Sequence, residues 1–105
     1  MANHATETDD ALIRARGSYE RHAWTEAYEA LAAADARSPL AAEDLERLAI
    51  AAYLLGRPDD SVAAGARAHL EAVRTGDVAL AIRSAYGVGM ELMQRGEMAQ
   101  SGGWL

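Results

Sequence analysis

The stretch EDLERLAIAAYLLGRPDDSV, residues 43–62, decides the fold class of this chain. Its apolar residues recur at helical spacing and predict one buried stripe: Leu45, Leu48, Ala49, Ala52 and Tyr53. Gly56 follows as a helix stop, and Pro58 suits the first position of a new helix. Asp59 and Asp60 then lie near the positive end of that helix dipole. The stretch therefore predicts a helix, a tight elbow and a second helix.

Helix-stop and helix-start residues of this kind divide the whole chain into six helical segments after a polar tail over residues 1–10. The segments are ALIRARGSYER, WTEAYEALAAADAR, LAAEDLERLAIAAYLL, a fourth from the elbow to about residue 74, VALAIRSAYGVGMELMQR and a short EMAQSGGWL. Ser38 and Pro39 are expected to cap and begin the third segment. Gly76 and Asp77 are expected to end the fourth and cap the fifth, which stops at Gly96.

The helix pairs repeat along the chain. A shift of thirty-four residues places Ala15 on Ala49. A shift of forty residues places Ala49 on Gly89. The same shift of forty places Gly56 on Gly96. Helix pairs that recur near this period are the sequence signature of a solenoid.

In these features the chain resembles a run of tetratricopeptide repeats. In the first helix of a repeat, LERLA supplies the family's two large residues and one small residue as Leu45, Leu48 and Ala49. In the second helix of the first repeat, Ala27, Leu31 and Pro39 supply its alanine, its large apolar residue and its closing proline. Ser61, Gly65 and Arg14 depart from the family's pattern. The resemblance implies an all-α fold, with antiparallel helix pairs stacked as a short right-handed solenoid of five to six helices. This domain would cover residues 11–105, with an incomplete last repeat.

A narrower similarity concerns AWTEAYEALAAAD, EDLERLAIAAYLLGRPDDSV and RGEMAQSGGWL. Their sequence pattern is similar to that of the tetratricopeptide-like region of actinobacterial LuxR-type transcriptional regulators. That similarity implies a second reading, in which the chain is a regulatory fragment whose DNA-binding domain lies elsewhere.

Composition narrows the function classes. The 105 residues contain no cysteine, so a disulfide or thiolate metal site is excluded. The net charge is −6 and the arginines are dispersed, a pattern that argues against direct nucleic-acid binding. No run approaches the roughly twenty apolar residues that span a bilayer. We therefore expect a cytoplasmic protein that binds neither membrane nor nucleic acid.

The residues with chemical potential favour structural roles. Gly87 and Gly89 lack the strand and the third glycine of a dinucleotide-binding turn, and Gly89 falls on the small packing position of the repeat. His22 and Glu26 stand four apart, but we expect the helix to break between them. His69 lies near an apolar face and is expected to pack there. We therefore predict no catalysis, no metal and no cofactor.

The resemblance also implies where a partner would bind. In that family the first helix of each pair lines a concave groove, and the corresponding positions here are Arg16, Tyr19, Ile50, Tyr53, Leu54, Tyr86, Met90 and Met93. Such a groove is mainly apolar and aromatic, which favours an apolar helix or amphipathic segment of a protein partner. A sensor of a small apolar ligand is the remaining alternative.

The last residues of the chain predict a second contact surface. Trp104 and Leu105 are large and apolar where a solenoid needs a polar cap. We expect them to be covered by the predicted groove or by the same end of a second chain. The sequence therefore predicts self-association, with a homodimer as its simplest form.

Overall fold

The fold is described from a computed structural model that covers residues 4–96 and Trp104. These residues form five helices and no strand: α1 (His4–Glu20), α2 (Trp24–Arg37), α3 (Ala42–Leu54), α4 (Pro58–Thr75) and α5 (Val78–Gln94). The all-α class and five of the predicted helices are confirmed. The sixth predicted helix lies outside the described residues, apart from Trp104.

Consecutive helices pack against one another along the whole array. In addition, α1 contacts α3, and α3 contacts α5, so the first helices of successive pairs are neighbours. This order of contacts fits the helical-repeat class. In this arrangement α4 contacts both α3 and α5, so it lies beneath the space between those two helices.

The turns that follow α1, α3 and α5 repeat the same backbone geometry. His22, Gly56 and Gly96 have φ angles of 61°, 73° and 81°. Each donates its backbone N–H to the carbonyl three residues earlier, at 3.0, 3.1 and 3.0 Å. A left-handed residue with this bond is a common helix ending, which glycine adopts at little cost. These three positions coincide under the sequence shifts, so the repeat is present in the backbone as well as in the sequence.

Unequal helix lengths account for the longer spacing to the third pair. α4 and α5 contain 18 and 17 residues, whereas α2 and α3 contain 14 and 13. Each of the later helices is therefore longer by about one turn. The inserted residues extend helices, and the turn between α4 and α5 stays short: Gly76 is left-handed, and Asp77 accepts the Leu80 N–H at 3.1 Å. The predicted roles of Gly76 and Asp77 are confirmed.

Two predicted boundaries differ from the structure. The helix α1 begins at His4, inside the stretch predicted as a polar tail over residues 1–10. Residues 4–10 contain neither glycine nor proline, so their polarity alone does not end a helix. The prediction of Ser38 and Pro39 as the start of α3 was wrong as well. Ser38 is the extended residue that ends α2, and α3 begins at Ala42.

The loop between α2 and α3 explains that second error. The Asp35 carboxylate accepts the backbone N–H of Leu40 at 3.2 Å, and Leu40 is buried in the core. This contact holds the chain extended through Pro39, so the proline lies in the loop. A residue from the preceding helix thus sets where α3 starts, and a local capping pattern does not show it.

Small residues let the helices approach closely. The core is rich in alanine, and its members are Ala15, Leu31, Ala34, Leu40, Ala42, Leu45, Leu48, Ala64, Ala68, Ala72 and Leu80. The departures Ser61 and Gly65 fit into this packing. The Ser61 hydroxyl donates to the Ala49 carbonyl of α3 at 2.8 Å. A Cβ built on Gly65 would lie 2.8 Å from Val88 Cγ2 of α5, so α5 leaves no room for a side chain at position 65 unless Val88 moves.

A double-mutant cycle tests the contact between Gly65 and Val88. Gly65→Ala is expected to destabilise the chain, because the stiff β-branched Val88 cannot turn away easily. In a Val88→Ala background, the same change should become neutral or stabilising. We expect a coupling of about 1–3 kcal/mol in urea unfolding. The control is Gly87→Ala, because a Cβ at position 87 meets open space. This substitution should raise the free energy of unfolding by up to about 1 kcal/mol. Additivity between positions 65 and 88 would contradict this packing.

Candidate functional site

A groove lies between α3 and α5, with α4 as its floor. Its apolar walls carry Ile50 and Tyr53 from α3 and Tyr86 and Met90 from α5, and the volume enclosed is about 320 Å³. The floor consists of small residues of α4: Ser61, Gly65 and Ala68. Because these α4 side chains are small, the space between α3 and α5 stays open, whereas larger side chains would fill it.

The groove continues past the C-terminal end of α3 into a second depression of about 440 Å³. Tyr53, Glu91 and Gln94 line both parts, and Leu54 and Pro58 line the second. We call the two parts together the α3–α5 groove. Tyr53 is 49% exposed and Tyr86 is 60% exposed, so aromatic surface is available to a ligand along its length.

The α3–α5 groove brings together five of the eight residues predicted for a partner site: Ile50, Tyr53, Leu54, Tyr86 and Met90. Met93 is an exposed residue of α5, but it lines neither part. Arg16 and Tyr19 lie on α1 and do not line it either. The site is therefore built by the second and third helix pairs, and α1 contributes no lining residue.

Arg16 belongs to an ion-pair cluster that joins α1 to α3. Its guanidinium donates to both Asp44 carboxylate oxygens, at 3.0 and 2.7 Å, and Arg47 donates to Asp44 at 2.9 Å. Burial raises the pKa of Asp44, but the hydrogen bonds and charges of Arg16 and Arg47 outweigh it and hold that pKa below its ordinary value. Arg16 thus stabilises the contact between α1 and α3.

Tyr19 packs in the turn between α1 and α2. Its ring meets the Trp24 ring edge-on, with centroids 5.3 Å apart. The His22 ring stacks on the Trp24 ring, with centroids 5.0 Å apart. Burial and the nearby Glu46 carboxylate raise the pKa of Tyr19. The helix does break between His22 and Glu26, as predicted, because α1 ends at Glu20 and α2 starts at Trp24.

The two glycines of AYGVGM, Gly87 and Gly89, lie inside α5. Amides in the middle of a helix bond to the carbonyls of the preceding turn, so this pair does not form a phosphate-binding turn. Gly89 is buried in the helix packing, whereas Gly87 faces the open groove.

Glu91 is the groove residue that sequence reasoning missed. It is only 7% exposed, and its Oε1 has no hydrogen-bond partner among the described residues. The sequence makes it look ordinary, because Arg95 follows four residues later and suggests an exposed helix pair. In the structure Arg95 donates instead to Asp59 at 2.9 Å. A signal was present in the repeat alignment, where Glu91 falls on Ala51, a fully buried alanine.

The other charged residues along the groove are paired. Arg83 donates twice to Glu46, both at 3.1 Å, which ties α5 to α3. At the opposite end Arg95 is held by Asp59. The Glu46–Arg83 pair contributes no net charge. The Glu91 carboxyl oxygen is therefore the one buried side-chain polar atom without a hydrogen bond in the part of the chain that the structure describes.

Trp104 packs on its own chain, on the other side of α5. Its ring meets His69 edge-on, with centroids 5.3 Å apart, and it lines a depression with Val73 and Ile82. The His69 Nδ1–H donates to the Ala81 carbonyl at 2.8 Å, and the predicted packing role of His69 is confirmed. Residues of α4 and α5 thus surround part of Trp104, and its predicted contact with the same end of a second chain stays a prediction. Leu105 lies outside the described residues.

Within residues 10–96, no three histidine, aspartate or glutamate side chains gather as metal ligands would. None of the helices described is both long and apolar enough to cross a membrane. No protein-family model, no curated protein and no solved structure matches this chain.

Proposed function

We propose that this chain is a non-catalytic interaction module that binds an apolar helix or amphipathic segment of another protein in the α3–α5 groove. The observation that carries the proposal is the row of exposed aromatic and apolar side chains over a floor of small residues. From Arg83 to Gln94, α5 flanks the groove for about 17 Å, or about three helical turns. Such a length suits a helix that presents apolar residues at i, i+3, i+4 and i+7.

The finer fold assignment is part of this proposal. We infer a right-handed, tetratricopeptide-like stacking, which the matching left-handed turns at His22, Gly56 and Gly96 support. We also propose a cytoplasmic location. The sequence resemblance to LuxR-type regulators supports an alternative, in which the chain is a regulatory fragment of such a regulator without its DNA-binding domain. In that setting the array would act on its partner by contact, while any DNA-binding domain would belong to another part of the system.

A small apolar ligand is a second candidate occupant. The first part of the groove, at about 320 Å³, is at the lower end of the range for small-molecule sites. A helical segment is favoured because the groove continues past it into the second depression. The two occupants differ in the length of groove that each uses.

Binding of a defined helical peptide tests the proposal. The probe is an uncharged alanine- and glutamine-based peptide of about 14 residues, with leucines at i, i+3, i+4 and i+7. We expect micromolar binding to the wild type in fluorescence anisotropy, weakened about tenfold or more by Met90→Glu, because a charge would replace an apolar contact. Leu70→Glu is the control, since Leu70 is 67% exposed but lies outside the groove. Equal loss in both variants, or no binding, would overturn the proposal.

A further inference from the structure

The Glu91 carboxyl group lies at the junction of the two parts of the α3–α5 groove. It lines both of them, more than nine-tenths of the residue is buried, and Oε1 has no partner among the described residues. Buried polar groups are almost always hydrogen-bonded, so an exception requires an explanation. Because Glu91 lines the binding groove, the missing partner of its carboxyl group is explained when that partner arrives with the ligand.

The surroundings of Glu91 define the charge of that partner. The two arginines that line the groove have other carboxylates: Arg83 pairs with Glu46 and Arg95 pairs with Asp59. In the corresponding position of the second helix pair the chain has Ala51, which is fully buried. An uncharged residue therefore satisfies the packing of the repeat, and the acid at position 91 is not required by the fold. A carboxylate in this place favours a donor or a cation.

Resting on the proposed function, we infer that the segment bound in the α3–α5 groove carries a lysine or arginine whose cationic head pairs with Glu91. A basic side chain suits the site because its apolar stem can lie along Tyr53 and Met90 while its head reaches the carboxylate. The apolar walls exclude water around the pair, which strengthens a charge-assisted hydrogen bond. The groove would thus recognise an amphipathic helix by an apolar stripe with one basic residue in it.

A divalent metal is a poorer fit to Glu91. Calcium and magnesium take several oxygen ligands, and zinc takes about four ligands. Apart from Glu91, the acid that lines the groove is Glu46, and Arg83 already occupies both of its oxygens. A single carboxylate with one unpaired oxygen matches one N–H donor much better than it matches a coordination shell.

A matched peptide pair tests the inference. The probe described above is made as a set in which one lysine, or its uncharged isostere norleucine, occupies each position within the apolar stripe in turn. On the wild type, the best lysine peptide should bind about tenfold tighter than its norleucine counterpart, as expected for a hydrogen bond to a charged group. Glu91→Gln should remove that preference. Glu43→Gln changes the charge equally at an exposed residue of α3 outside the groove, and should retain it.

The outcomes separate this inference from the proposed function. Equal affinity of the lysine and norleucine peptides, with both weakened by Met90→Glu, would overturn the role of Glu91 and leave the groove as a helix site. Failure of every peptide to bind would overturn both. As a small-cation probe, n-hexylammonium binding as tightly as the best lysine peptide would show that the carboxylate serves a small organic cation, and would overturn the helical segment as the occupant.

Discussion

Replacing Asp44 with alanine is expected to lower the free energy of unfolding by about 2–4 kcal/mol. Asp44 is 2% exposed and accepts three hydrogen bonds, two from Arg16 and one from Arg47. Its loss removes the main polar link between α1 and α3 and leaves a cavity beside two arginines. Urea unfolding at neutral pH measures the change. Glu26→Ala is the control, because its ion pair with Arg21 is long and exposed, and it should cost less than about 1 kcal/mol.

The same pair predicts a pH dependence. Because the pKa of Asp44 is lowered in the folded state, its contribution is fully present above the pKa of the unfolded chain, about 3.9. That contribution is lost as the pH falls through the lower folded-state pKa. The difference in stability between wild type and Asp44→Asn should therefore be constant near neutral pH and shrink below about pH 4. A difference that does not change with pH would contradict this assignment.

Glu91→Leu is expected to raise the free energy of unfolding by about 1–3 kcal/mol, the usual cost of a buried polar group without a partner. Leucine has a similar volume and suits the apolar neighbours of position 91. Chemical denaturation measures the gain. The control is Glu29→Leu on the exposed side of α2, which should stay within about 0.5 kcal/mol of wild type.

The sign of the Glu91→Leu change decides what this residue is for. A gain in stability together with loss of the preference for a basic peptide is the trade-off expected of a binding residue that costs the fold free energy. A clear loss of stability would mean that the carboxylate is satisfied within the folded chain. Glu91 would then be a structural residue.

Sequence reasoning predicted the parts of the fold that depend on local signals. Gly56 and Pro58 mark the elbow between α3 and α4, and Gly76 and Asp77 mark the next one, because a left-handed stop and a helix cap are encoded within a few residues. The resemblance to tetratricopeptide repeats then implied that Ile50, Tyr53 and Tyr86 lie on one side of the array, where the groove is found.

Three misjudged positions, Arg16, Glu91 and Gly65, involve contacts with residues that are distant in sequence. Arg16 was assigned to the groove because nothing local shows that Asp44 holds it. Glu91 looked like an exposed helix residue, since its burial depends on how α5 packs against the preceding pair. Gly65 departs from the repeat pattern because the Val88 side chain of α5 occupies the space that a side chain at position 65 would need. Tertiary contacts decided each of these cases, and periodicity alone does not give them.

The central claim is that the α3–α5 groove accepts an amphipathic helix, and intermolecular NOEs test it most directly. With the best lysine peptide bound to the wild-type chain, we predict NOEs from the Met90 methyl group and the Tyr53 ring to the leucine side chains of the peptide. Short contacts of this kind would place the peptide in the groove. NOEs confined to Ile82 and Trp104, on the other side of α5, would contradict the account.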